Sequence, residues 1–154
     1  MFREMRRIGN ALPKEEAIAM MQKATNGVLS VTGDDGYPYG VPVSFVYRNN
    51  QIVFHCATEG HKIDAIQRNP KVSFCVVEQD LIVPEEFNTL YRSAIAFGRA
   101  RILTGEEKRE YIEAIAKRYA PDYDKEAKAY IKSDWTCFNV VVIDIDHLTG
   151  KAGD

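Results

Sequence analysis

A chain of 154 residues, 45% hydrophobic and 27% charged, has the size and composition of one globular domain with one real core, and residues 1–154 are read as such. Its formal net charge of -2 leaves no basic excess to attract nucleic acid or an anionic membrane surface. Cys56, Cys75 and Cys137 are far apart, odd in number and form no C-x-x-C pair, which argues against a disulfide scaffold and for a reducing, cytoplasmic setting.

The opening "MFREMRRIGN" is basic but lacks an apolar core, and no stretch approaches the ~20 apolar residues of a membrane-spanning helix, so a soluble, unprocessed chain is expected. Pro13 suits a first helical turn, and Ala17, Met20, Met21 and Ala24 recur at helical spacing, which predicts a helix over Lys14 to Ala24. Three β-rich runs follow up to Ala57, separated by the turn-forming clusters "GDDG" and "RNN". In the second run Val41, Val43, Phe45 and Tyr47 alternate with Gly40, Pro42, Ser44 and Val46. Pro42 cannot donate to a ladder, which places it at a sheet edge or at a gap in the pairing.

A short helix from about Glu59 to Arg68 is stopped by Asn69-Pro70, and "KVSFCVVE" reads as the next strand. "QDLIVPEEFNTLYRS" has no clean period and reads as a long connection. "SAIAFGRARILT" is a strand with Gly98 as its bulge, and Thr104 with Glu107 matches a capping box opening the next helix. Pro121 closes that helix, a further helix covers about Asp124 to Ser133, and "CFNVVVIDID" is the last strand. About six mainly antiparallel strands with late helices predict an α+β fold built on a barrel with peripheral helices.

The densest chemistry lies in "FHCATEGHK". Thr58 can cap the short helix, whose first N–H groups lack intrahelical partners; Gly60 lets a ligand approach the backbone, and His61 and Lys62 can add charged hydrogen bonds to a phosphate. The same residues also describe a capped surface helix with two solvated side chains. His55 and Cys56 are strand neighbours, so they face opposite sides of the sheet and cannot share a metal. Asp144 and Asp146 share a strand face that His147 does not, and no metal site is expected there. Tyr37, Tyr39, Tyr91 and Trp135 could stack on a planar ligand or fill the core. Dinucleotide, phosphate-loop, esterase and zinc-protease motifs are missing from the chain.

The succession of "DGYPYGVPV", "FHCA", "EGHK" and "NPKVSF", with "FGRARIL" and "IDIDHLTGKA" further on, resembles the nitroimidazole-resistance branch of the pyridoxamine 5'-phosphate oxidase-like proteins over nearly the whole chain. The resemblance implies a homodimeric split β-barrel with a flavin mononucleotide (FMN, or the longer FAD) at each of two sites between subunits. It sets Val41, Pro42, Val43 and Ser44 along the isoalloxazine, and His55, Cys56 and Ala57 on the strand beneath it. Gly60, His61 and Lys62 match the phosphate-binding serine, arginine and lysine of the oxidases, with only the lysine kept.

His55 also matches a histidine near the flavin, a candidate proton donor to substrate. The arginine-rich substrate residues of the oxidases are missing, so pyridoxamine phosphate oxidation is not expected. The implied activity is reduction of a small-molecule electron acceptor such as a nitroimidazole. Its alternatives are a non-catalytic flavin or haem carrier and a regulatory dimer without cofactor.

Overall fold

The computed structural model describes residues 1–153, which form eight strands and four α-helices. A two-residue strand, β1 (Ala11–Leu12), precedes α1 (Lys14–Lys23), which ends one residue before the expected Ala24. The acidic Glu15 and Glu16 sit in the first turn of α1 and Lys23 in its last, where each opposes the end charge of the helix. α1 buries Ala17, Met20 and Met21 as their spacing predicts.

β2 (Asn26–Thr32), β3 (Pro38–Ser44), β4 (Val46–Arg48) and β5 (Gln51–Ala57) follow as antiparallel runs. β4 turns into β5 through Asn49 and Asn50, both at positive φ (46° and 63°), the two-residue hairpin geometry that asparagine tolerates. After α2 (His61–Arg68) come β6 (Lys71–Val83) and β7 (Asn88–Ile102), then α3 (Gly105–Tyr119), α4 (Asp124–Ser133) and β8 (Phe138–Gly153).

The hydrogen-bonded order is β3-β2-β6-β7-β8-β5-β4, with β1 on β8, and every pairing is antiparallel. The two ends of this path, β3 and β4, are one stretch of chain interrupted only at Phe45. The sheet therefore closes on itself there. Beyond the junction the edges are unpaired: among the described residues β3 pairs only with β2, and Phe54 to Ala57 of β5 pair only with β8. This is a split barrel, and β3 is the edge strand that Pro42 requires.

Two cores fill it. Inside the barrel Phe45, Phe54, Phe74, Leu29 and Ile143 pack with α1 and with Ile63, Ala65 and Ile66 of α2. Outside, Val53, Val140 and Val142 pack against Ile112 and Ile115 of α3 and Ile131 of α4. The stretch Val140 to Ile143 is buried on both faces for that reason, so it reads as a continuous apolar run rather than an alternating one.

The structure corrects the expected long connection over "QDLIVPEEFNTLYRS". Those residues are the two arms of a β6–β7 hairpin, paired from Gln79↔Arg92 to Val83↔Asn88 around a tight turn at Pro84 to Glu86. A register shift between Val77 and Gln79 breaks the alternation, and Leu81 and Ile82, adjacent and so on opposite faces, are both apolar and both exposed, which hid the strand period.

Gly98 does mark an irregularity, but the extra residue is Asp146 on the facing strand, between Phe97↔His147 and Gly98↔Ile145. Thr104 precedes α3 as expected, yet its side chain makes no capping bond; Glu107 pairs instead with Arg101 at 2.9 Å.

A Cβ on Gly98 would overlap the Asp144 carbonyl oxygen and lie 2.8 Å from Cγ2 of Ile143. Gly98→Ala should therefore lower unfolding stability by about 1–3 kcal/mol in denaturant titration, the usual cost of overpacking.

Candidate functional site

The unpaired edges of β3 and β5 face the same opening, and most residues singled out in the sequence surround it. Val41 and Val43 point inward from β3 onto the main core, while Pro42 and Ser44 point outward and are exposed. On β5 the sides alternate as expected. Cys56 packs on the main core, and His55 and Ala57 lie on the exposed side.

The opening has two closed ends. At one end, the Tyr119 hydroxyl accepts a hydrogen bond from the Phe45 N–H (3.2 Å) and lies within donating distance of the Thr25 carbonyl (2.7 Å) and of the Phe45 carbonyl. At the other, α2 begins beside β3: the His61 ring lies against Tyr39 with centroids 4.2 Å apart, and its Nε2 accepts the Asp34 N–H at 3.3 Å. Arg68 reinforces this contact through a 3.0 Å bond to Asp34.

The helix start differs from expectation. α2 opens at His61 with Gly60 as its N-terminal flanking residue, and no side chain caps it; Thr58 lies outside, its carbonyl accepting a bond from Asn139 (3.3 Å). Gly60 adopts φ 141°, a conformation side-chain-bearing residues rarely take, and a Cβ there would meet nothing within 4 Å. A ligand can approach this backbone closely.

Lys62 is half-buried and has no carboxylate within 4 Å among the described residues; Glu59 is exposed and pairs with no cation. The charge of Lys62 is felt by Cys56: burial pushes that thiol's pKa up, and the lysine pulls it partly back. His61, by contrast, is engaged with the β2–β3 turn through its Nε2.

His55 faces away from this corner, into a cavity of about 630 Å3 walled by α3 and α4 and also reached by Ser44. Its imidazole opens onto the cavity, and the surrounding apolar groups lower its pKa through desolvation. Tyr119, Tyr123, Tyr130 and Phe138 line this space, and none was singled out by the sequence as a site residue, because they belong to helix faces and a strand end that carry no motif.

The wall is fixed by Lys108, whose ammonium donates to the Trp135 carbonyl at 2.7 Å and lies 4.4 Å from the ring centroids of both Trp135 and Phe138. Trp135 thus serves packing here, and Tyr39 stacks on His61. Tyr91 lies beneath Lys151, and Tyr37 is exposed.

Asp144 and Asp146 are held by arginines rather than poised around a cation: Arg101 bonds Asp144 at 2.8 Å, and Arg99 bonds Asp146 through two nitrogens. His147 stacks on Phe2 at 4.7 Å between centroids.

The sequence profile of the pyridoxamine 5'-phosphate oxidase family matches residues 13–152. The chain belongs to that family. Among solved structures, this family member is similar to a protein of Bacteroides thetaiotaomicron provisionally described as a 5-nitroimidazole antibiotic resistance protein, with 25% identity, TM-score 0.74, and coverage of 92% of this chain and 86% of that one. It also shares its fold with an FAD- and haem-binding protein of Mycobacterium smegmatis (20% identity, TM-score 0.81, 94% and 74% coverage). An FAD-binding protein of Mesorhizobium loti has the fold too (20% identity, TM-score 0.64, 94% and 97% coverage). No curated protein sequence matches the chain significantly.

Because the Asp34 amide is held by the His61 ring, His61→Ala should make that amide exchange with deuterium several-fold faster while the β6 and β7 amides keep their rates. An unchanged Asp34 rate would detach His61 from the turn.

Proposed function

We propose that this member of the pyridoxamine 5'-phosphate oxidase family binds FMN along the split and acts as a flavin-dependent reductase of small acceptors such as nitroimidazoles. The observation that carries the reading is the run of free backbone edge from β3 and β5 to Gly60 and the unpaired cation of Lys62. An isoalloxazine needs hydrogen-bond partners for its polar edge and apolar contact for its rings; the unpaired N–H and C=O groups of residues 41–44 and 55–57 offer the first, and the exposed Pro42 and Ala57 side chains the second. The first-turn N–H groups of α2 and Lys62 suit a phosphate.

FMN, when bound, supplies two-electron redox chemistry. The chain contributes the setting. β3 and β5 position the ring, Lys62 balances the phosphate charge, and α3 and α4 shield the side on which His55 can hold a proton for the acceptor. The open space at Gly60 would admit the outward nucleotide of FAD as well as the FMN phosphate; mass analysis of released cofactor separates the two.

A homodimer is part of this proposal. The outward face of the sheet carries Val28, Ile95 and Phe97 at about 40% exposure in neighbouring strands, and the β6–β7 hairpin adds Ile82 and Phe87 at 68% and 100%. Exposed apolar side chains of this size suit a face that meets another subunit. The three unpaired cysteines fit a reducing cytoplasm.

The visible spectrum of the purified protein tests the cofactor: flavin bands are expected, and a colourless protein that takes up no added FMN would overturn the proposal. Lys62→Ala should weaken FMN binding roughly tenfold to a hundredfold by fluorescence titration, since a bond to a charged group contributes about 1.5–3 kcal/mol. Burial depresses the His55 pKa below its ordinary 6.5, so its proton-donating form appears only as pH falls below that value. Anaerobic oxidation of the reduced protein by a nitroimidazole should accordingly accelerate as the pH is lowered below about 6.5, and His55→Gln should flatten this profile.

A further inference from the structure

The cavity before His55 is far larger than a nitroimidazole ring requires, and its chemistry is one-sided. Its base and walls are apolar, formed by Ile112, Ile115, Ile131 and Phe138. Its rim is aromatic. Tyr119, Tyr123 and Tyr130 all line it and remain 39%, 62% and 66% exposed; Arg118 already lies 5.5 Å over the Tyr119 ring, so Tyr123 and Tyr130 are the rings open to an incoming molecule.

All formal charge on the lining is negative. Glu126 and Asp134 contribute carboxylates, neither has a cationic partner within 4 Å among the described residues, and no lysine or arginine lines the space. Two cations border that wall without lining the cavity: Lys108 is turned into the Trp135 and Phe138 rings and the Trp135 carbonyl, and Arg118 lies over the Tyr119 ring. His55, held toward its neutral form, adds no compensating positive charge at neutral pH.

We propose that the cavity between α3, α4 and β5 binds a planar, hydrophobic cation, such as a polycyclic aromatic amine or quaternised heteroaromatic ring. The flat apolar interior takes the ring system, Tyr123 and Tyr130 meet the positive charge with their π faces, and Glu126 and Asp134 neutralise it. The same arrangement repels anions, since a phosphorylated or carboxylated ring would meet two carboxylates and no cation. Haem, whose two propionates need positive partners, is disfavoured on the same ground. The site stands apart from the proposed phosphate corner at Gly60 and Lys62, but shares Ser44 and His55 with the strand edges proposed for the flavin ring. If flavin does occupy the split, His55 lies at the cavity wall to serve the two sites together.

The test is isothermal titration calorimetry on the purified protein, with whatever cofactor it carries, using two planar tricyclic probes at neutral pH: proflavine, a cation, and anthracene-2-carboxylate, an anion. Proflavine should bind at least tenfold more tightly. Glu126→Gln and Asp134→Asn should each weaken proflavine several-fold and narrow the gap to the anion, and Tyr130→Ala should weaken proflavine further. Saturating FMN should leave proflavine binding unchanged, which separates this cavity from the split.

Equal or tighter binding of the anion would overturn the proposal, as would proflavine binding indifferent to Glu126, Asp134 and Tyr130. Displacement of proflavine by FMN would place the cation in the split and overturn it as well. Glu126 is exposed, so Glu126→Gln reads the site without endangering the fold.

Discussion

The architecture turns on the interruption of one strand at Phe45. A continuous β3–β4 ladder would seal the barrel along its whole length; a complete break would leave two open sheet edges, each a row of unmet polar groups. The chain does neither. Phe45 drives its ring into the core against Phe74, with ring centroids 4.7 Å apart, while its backbone leaves the ladder and is met by the Tyr119 hydroxyl and the Thr25 carbonyl. One phenol from the end of α3 thus fixes where pairing stops. The unpaired edges, the corner at α2 and the cavity under α3 and α4 all take their positions from that point.

The two halves of the site rest on different forces. At the corner, positive φ at Gly60 and an unpaired ammonium prepare the backbone for a negative group, and His61 and Arg68 tie the two ends of α2 to the β2–β3 turn at the expense of their own availability. At the cavity, apolar walls depress the His55 pKa, and the local charge is negative. Opposite electrostatic signs on the two sides of one strand are possible because adjacent residues of β5 face different cores.

Much of this was legible in the sequence wherever it depends on local chemistry. The alternation around Val41 and Val43, the asparagine turn, the stop at Asn69-Pro70 and the opposed faces of His55 and Cys56 are all set by neighbours a few residues apart. The hairpin from Gln79 to Arg92 was not, because apolar side chains stand exposed on both its faces and a register shift breaks its period. The helix start moved from Thr58 to Gly60 because a glycine at φ 141° can turn the chain without a side-chain cap. Tyr119 was legible only as a helix-face residue; its partner is 74 positions away, and no local pattern encodes that contact.

The order of the strands along the chain also bears on when this protein can acquire its function. β8 forms ladders with both β5 and β7, and partners such as Gln51↔Asp144 lie 93 residues apart. Contacts so distant in sequence are slow to form, and none can form on a ribosome until the last strand has emerged. Until then β5 lacks the neighbour that holds it opposite β3, and α3 lacks the surface on which to place its tyrosine. Ligand capture is therefore a late event, available only to a finished chain, and a product truncated before Phe138 would have most of the strands and no site.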